Sequence, residues 1–346
     1  MLRNLGVFVA AVAAFSLSAM PLAAGPLEKE VVAAGAQWVI HADIEAFMAS
    51  KVGVFVDQQT KQGQVAAGLE VLRNMSGIDL TKDIQGVTLY GTEFSPDAGV
   101  IVVRGKLDQP KLLALIKANE TYKELKYGEH VVHQWIDKPK GEAAEQGKPG
   151  VTKYGAFYKD TTAVMAQDFE KLKLALDVLD KKSDNLAKPG AVSPVAPAAK
   201  GAYLAAGAVG LAKAGAVGPA GNLFMGRLSS ATMEMGEDGE KLFLRLAVTT
   251  RSARMATDLR KIVDGLLGAV DLLQDREPGE APIIPIPLEI PAEVSAILKD
   301  ISASSQGDTV KVELNTPVAN VISLIQFAMA KKQGAPAEAP PAPAAK

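Results

Sequence analysis

The fold class is decided by two stretches, IQGVTLYG at residues 84–91 and GVIVVRG at residues 99–105. Residues 92–98 lie between these β-rich runs and have the composition of a turn. The second run is apolar at consecutive positions, which is typical of a strand that is covered on both faces. The two stretches therefore predict an antiparallel hairpin whose returning strand is central in its sheet.

The same order of hairpin and helix recurs along the chain. A helix is predicted after the first hairpin, because Asp108 suits the N-cap position and Pro110 the first turn. Three more hairpins, at residues 154–166, 228–250 and 300–315, each precede apolar residues at helical spacing. The sequence thus predicts an α+β fold with two related halves, each built of antiparallel β-hairpins followed by helices packed on one sheet face.

The N-terminal residues 1–24 predict an export signal. Arg3 precedes an uncharged, apolar stretch at residues 5–20, and Pro21 and small residues follow it, which places cleavage near Ala24. An uncleaved anchor helix is the alternative, although it needs about 20 apolar residues. We therefore expect a periplasmic or extracellular protein with no lipobox cysteine and no membrane span after removal of the signal.

Composition divides the remaining chain into four parts. They are a first half, a Pro/Ala linker, a second half and a disordered Ala/Pro tail, at residues 25–185, 186–200, 201–331 and 332–346. The two halves open with similar strands, WVIHA at residues 38–42 and YLAAG at residues 203–207. This similarity suggests an internal duplication, in which the pattern of hairpins and helices repeats although few residues are identical.

Charge and composition exclude several classes of function. The chain has 37 Lys+Arg, 39 Asp+Glu and a formal net charge of −2. It therefore has no positive electrostatic field that would attract the phosphate backbone of a nucleic acid. It contains no cysteine, which excludes thiolate nucleophiles, disulfides and iron–sulfur sites. Two tryptophans and 5% aromatic residues argue against a stacking platform for sugars or single strands.

The histidines do not predict a metal site. His130 and His133 have a spacing that would share one helical face, but their neighbours are strand-like. An odd offset on a strand sends two side chains to opposite faces. The sequence also has no third ligand at a helpful spacing, so we predict neither a metal nor a cofactor.

A second pair, His41 and Asp43, lies on one face of the predicted first strand. A structural hydrogen bond or a solvent-facing pair is the favoured interpretation, because no nucleophile elbow, phosphate loop or zinc-protease motif accompanies the pair. We interpret the acids of the turn at 237–240 as solvated surface groups and Met233, Met235 and Met255 as core filling. No residue is predicted as catalytic, cofactor-binding or metal-binding.

Four short phrases carry a resemblance to other proteins. WVIHADIE at residues 38–45, SKVG at residues 50–53, GID at residues 77–79 and GVTLYG at residues 86–91 resemble a group of exported bacterial proteins with no assigned activity. The resemblance implies export and a layout in two halves. It implies no functional residue.

These observations favour a non-catalytic exported binding or structural module of the periplasm or cell envelope. Its partner would be an envelope component or an apolar ligand. A hydrolase with dispersed residues is one alternative, for which His41, Asp43, His130 and His133 are the candidates. The other is a carrier of a hydrophobic ligand, suggested by the apolar hairpin faces and the Pro-rich residues 283–290. Fully covered sheet faces without a cavity of about 300 Å³ would exclude the carrier.

Overall fold

The computed structural model describes residues 27–61, 63–95, 97–139, 149–213, 225–274 and 291–333. In these ranges it has twelve strands and eight α-helices. The strands are β1 Trp38–Asp43, β2 Ile84–Gly91, β3 Gly99–Gly105, β4 Lys123–Tyr127, β5 His130–Asp137, β6 Val151–Tyr158, β7 Thr162–Ala166, β8 Ala202–Val209, β9 Leu228–Asp238, β10 Lys241–Thr250, β11 Ile301–Gln306 and β12 Thr309–Pro317. The helices are α1 Ile44–Ala49, α2 Lys51–Thr60, α3 Gly63–Ser76, α4 Gln109–Lys117, α5 Phe169–Leu179, α6 Ala253–Gln274, α7 Ala292–Leu298 and α8 Val318–Gln333. The predicted signal and most of the predicted tail lie outside the described residues.

All twelve strands form one antiparallel sheet in the order β11-β12-β10-β9-β8-β1-β2-β3-β7-β6-β5-β4. The α+β class is confirmed, and β3 lies between β2 and β7 as its apolar sequence predicts. The two predicted halves share this sheet, because β1 pairs with β8 and sets Trp38 opposite Ala208 and Ala42 opposite Leu204. Each half thereby satisfies the open edge of the other's first strand.

The strand order is similar on the two sides of the β1–β8 pair. One side runs β1-β2-β3-β7-β6 and the other runs β8-β9-β10-β12-β11, while β5 and β4 extend only the first side. The internal duplication itself stays a prediction, since a shared strand order also arises from hairpins that add to a sheet in sequence.

The helices lie on both faces of the sheet, which corrects the prediction of one face. Helix α5 packs Leu172 and Leu176 against the face that bears Val39 and Val102. The opposite face bears Ala42, and its residues pack with α1, α2, α4 and α8. Helix α6 packs along β10, β12 and β11. Helices pack on both faces because the apolar side chains of β3 point alternately to the two sides of the sheet.

The helical region after β1 is divided more finely than the sequence predicts. The helix-forming residues 54–74 predict one helix that ends at Gly77, but the structure has two helices there, α2 and α3. The short helix α1 precedes them, and α1 and α2 have their own N-caps. Asp43 Oδ1 accepts from Ala46 N at 2.8 Å, and Ser50 Oγ accepts from Gly53 N at 3.0 Å. Gly77 ends α3 with a φ of +74°, as predicted for a left-handed cap.

The predicted Pro/Ala linker is packed against the sheet. Leu186 and Val195 belong to the core that α5 covers, and the oxygen of Pro194 lies over Gly207 of β8. Ala199 N also donates to Glu234 Oε2 on β9 at 3.1 Å. This segment therefore covers the sheet beside α5. The Lys, Gly, Glu and Pro residues at 137–153 predict an exposed loop. In the structure β5 extends to Asp137 and β6 begins at Val151, and residues 140–148 lie outside the described chain.

Candidate ligand-binding trough

The two faces of the sheet differ in how well they are covered. We call the face under α5 the closed face and the other the open face. On the closed face Tyr90, Val102 and Val164 are 0%, 1% and 0% exposed. On the open face Leu89 and Ile101, which stand opposite each other on β2 and β3, are only half-buried. An apolar row therefore remains accessible in the middle of the sheet.

A trough of about 600 Å³ lies on this accessible part of the open face. Its larger apolar lining residues include Trp38, Leu89, Phe94, Ile101, Trp135 and Met165. Its polar lining consists of Ser95, Asp137, Lys153 and Gln167. A volume in this range, with a mainly apolar wall and a few polar groups, is typical of small-molecule sites.

Trp38 forms one wall of the trough. Its indole lies over Gly91 of β2, where a Cβ atom would be 2.5 Å from Nε1, and it extends toward Gly99 of β3. Its Nε1 donates to the carbonyl oxygen of Glu93 at 2.9 Å. The glycines let the indole lie flat on the sheet, because any side chain at position 91 would displace it.

Trp135 forms a second wall in the same way. Its ring lies over Gly155 of β6, where a Cβ would be 3.3 Å from Cη2. Its Nε1 donates to Asp137 Oδ1 at 3.0 Å. Both tryptophans of the sequence therefore line the trough. Composition argued against an aromatic platform, and the strand glycines were the signal that could have revealed it.

The polar rim contains a chain of three side chains. The Gln167 amide, oriented to satisfy both its neighbours, donates to Asp97 Oδ1 at 3.2 Å and accepts from Lys153 Nζ at 3.0 Å. Lys153 is half-buried and stands opposite Trp135 in the register of β5 and β6. Among the described residues no carboxylate lies within 4.0 Å of Lys153 Nζ.

The structure places His130 and His133 on opposite faces, as the strand geometry predicts. His130 Nε2 pairs with Asp180 Oδ2 at 2.9 Å, just after α5 on the closed face. His133 shares the open-face row of Gly155, and its Nδ1 lies 2.9 Å from the Tyr122 hydroxyl. Burial lowers the pKa of His133. In the part of the chain that the structure describes, no three His, Asp or Glu side chains are grouped as a metal site.

His41 and Asp43 lie on the closed face, away from the trough. His41 Nδ1 lies 2.9 Å from Thr88 Oγ1, and Asp43 caps α1. Both line a small cavity of about 130 Å³ with Tyr203. Burial, with a smaller contribution from the charge of Glu45, raises the pKa of Asp43 to about 6. The four hydrolase candidates are thus spread over three places.

No protein-family model matches the chain, and no curated protein matches it in sequence. Among solved structures it is similar to TP0453 in three crystal forms. Crystal forms III, I and IV give TM-scores of 0.38, 0.40 and 0.39 at 8% identity. The matches cover 88%, 88% and 87% of this chain and 100%, 98% and 97% of the TP0453 chain. In the described residues no helix is long and apolar enough to cross a membrane.

Proposed function

We propose that this protein is an exported, non-catalytic binding protein that takes up a molecule with an apolar chain in the trough. One observation carries the proposal: a row of aliphatic side chains in the middle of the sheet is left half-buried between two tryptophans. A cavity of about 600 Å³ also exceeds the size below which a carrier would be excluded. A monomeric protein rarely leaves such a surface open without a use for it.

A row of apolar side chains runs through the trough, where Leu89, Ile101 and Met165 line it, and continues beyond it. The row of Leu89 and Ile101 continues through Met165 on one side and through Ile40 and Ala206 on the other. These side chains project on one face in successive strands, so an unbranched chain can lie along them. Met233 is the next member of the row and is half-buried, which agrees only in part with the predicted core filling.

Apolar burial would supply the affinity. Each buried CH₂ group contributes about 0.8 kcal/mol, which corresponds to roughly a fourfold change in Kd. Affinity should therefore rise with chain length until the trough is full. The hydrolase alternative has less support, because its candidate side chains do not converge among the described residues.

A fluorescence titration tests this function directly, since both tryptophans line the trough. Unbranched alkyl carboxylates with about 8 to 16 carbons, below their micelle concentrations, are titrated while tryptophan emission is followed. We expect a saturable blue shift, with Kd falling about two- to fourfold per added methylene. No emission change and no heat of binding at any chain length would contradict the proposal.

A pair of variants makes the test specific to the trough. Ile101→Glu places a charge on its floor and should abolish binding, because a buried carboxylate loses its hydration. Val192→Glu is the matched control, since Val192 is 67% exposed and does not line the trough. Equal binding by both variants would place the ligand elsewhere.

The exported location rests on different evidence, the sequence of residues 1–24 and the resemblance quoted above. We expect the mature chain to begin near Gly25 and to appear in the periplasmic or extracellular fraction. Intact-mass measurement of the protein from fractionated cells tests this. A full-length chain in the cytosolic fraction would contradict it.

A further inference from the structure

We infer that the ligand of the trough is an amphiphile with an anionic head group, which Lys153 binds at the rim. This inference rests on the proposed function and adds the chemistry of the head group to it. The shared feature of the ligands concerned is an oxyacid, either a carboxylate or a phosphate, on a single apolar chain.

The position of Lys153 suits a head group. It lies on β6 directly opposite Trp135, so its stem shares the open face with the aromatic wall. It lines the trough beside Gln167 and is half-buried. A chain lying over Ile101 and Met165 would therefore end within reach of this ammonium group.

Lys153 forms no direct ion pair among the described residues, since the Gln167 amide separates its Nζ from the carboxylate of Asp97. Its Nζ donates to the neutral side-chain amide oxygen of Gln167 at 3.0 Å. Lys171 differs from Lys153, because its Nζ forms an ion pair with Glu93 Oε1 at 2.5 Å. The backbone carbonyl oxygen of Glu93 is the acceptor for Trp38 Nε1. An ammonium has three donors, so Lys153 retains two for a ligand.

The two acids at the rim each accept a hydrogen bond, and Asp97 accepts its bond from the Gln167 amide at 3.2 Å. Asp137 Oδ1 accepts from Trp135 Nε1, and the residue is exposed, so water solvates its charge. Lys153 is less exposed and lacks an acidic partner among the described residues. The rim therefore favours an anion at Lys153 over a cation at Asp137. A counter-ion stabilises the half-buried ammonium of Lys153 more than the exposed carboxylate of Asp137, because water already solvates the exposed charge.

Ligands that share one chain and differ in the head group test the inference. Dodecanoate, dodecyl phosphate, dodecanol and dodecyltrimethylammonium are titrated against the full chain at low salt. We expect both anions to bind roughly tenfold more tightly than the alcohol, the scale of a charge-assisted hydrogen bond, and the cation to bind more weakly still. The ratio of the two anions separates a carboxylate head from a phosphate head.

Three variants assign the effect to Lys153. Lys153→Met should remove the preference for anions and leave dodecanol binding unchanged, while Lys153→Arg should restore it. Lys106→Met is the matched control, because Lys106 is exposed, changes the net charge equally and does not line the trough. Melting temperatures confirm that each variant is folded.

The outcomes separate this inference from the function beneath it. Equal affinity for all four heads, tighter binding of the cation, or an equal loss for every ligand in Lys153→Met would overturn the role of Lys153 and leave the trough as an apolar site. Absence of binding by all four ligands would overturn both.

Discussion

Neighbouring residues of β3 meet different surroundings on the two faces of the sheet. Val102 is 1% exposed in the core under α5, whereas Ile101, one position earlier, is half-buried and lines the trough. Both are β-branched aliphatic residues in the same central strand. The comparison teaches that an apolar run predicts a strand with two apolar faces. It does not predict whether protein or a ligand covers each face.

The two faces also differ in what lies over the strands. The closed face carries α5 and the packed segment at residues 186–200. The middle of the open face carries two indoles that lie over strand glycines. One face is thus closed by secondary structure, and the other is bordered by individual aromatic side chains.

The largest expected difference between the faces is in stability. Leu176→Ala removes a fully buried side chain of α5 and should lower the free energy of unfolding by about 2–5 kcal/mol, because it leaves a cavity. Ile101→Ala removes a half-buried side chain from the trough floor and should cost less than about 2 kcal/mol. Urea denaturation measures both. Equal losses would mean that the two faces are equally well packed.

The second effect concerns the glycines of the open face. Gly91→Ala should cost about 1–3 kcal/mol and shift tryptophan emission, because its Cβ would lie 2.5 Å from the Trp38 indole. Gly155→Ala is the milder counterpart, with its nearest contact to Trp135 at 3.3 Å. Denaturation and emission spectra of both variants check this. An unchanged spectrum for Gly91→Ala would show that Trp38 does not depend on the flat strand.

The sequence predicts much of this fold because local signals agree with the tertiary structure. Asp168 accepts from Glu170 N and Lys171 N at the start of α5, and Gly239 has a φ of +62° in the turn between β9 and β10. Such caps and turns depend on residues only a few positions apart. They are therefore predictable without knowledge of the sheet.

The single sheet and the trough depend instead on contacts between distant residues. Nothing local indicates that Trp38 stands opposite Ala208, or that Trp38 and Trp135 border one cavity. The register of the strands determines both, and hydrophobic alternation alone leaves the partner of an edge strand open. For the same reason the sequence does not show whether the hydrolase candidates lie together, and in the structure they do not.

The third effect is a pH dependence of stability on the closed face. Burial raises the pKa of Asp43 from 3.8 to about 6, so the folded state holds this proton more tightly than the unfolded state. Its contribution to stability is complete at low pH and is lost as the pH rises through about 6. Asp43→Asn keeps an N-cap residue and removes the titration.

We therefore expect the stability of Asp43→Asn, relative to that of the native chain, to rise by about 2 kcal/mol as the pH goes from about 4 to about 8. Denaturation of both proteins at each pH measures this difference. A difference that does not change with pH would show that Asp43 does not titrate in this range in the folded protein.

The smallest effect concerns how the second half of the chain holds the helices at one end of the open face. Glu237 of β9 was expected to be a solvated acid, but its Oε2 accepts from Lys51 N at 2.8 Å and its Oε1 from Val52 N at 3.0 Å. A carboxylate at the first turn of α2 stabilises the helix through its unpaired amides. Glu237→Gln should therefore lower the free energy of unfolding by about 0.3–1 kcal/mol, as measured by urea denaturation.

Glu240→Gln is the control, because Glu240 pairs with Lys51 at an 87% exposed position. This substitution should change the free energy of unfolding almost not at all. If the two variants lose equal stability, the hydrogen bonds of Glu237 with α2 contribute no more than the exposed ion pair of Glu240 with Lys51. Apolar packing then holds these helices on the sheet.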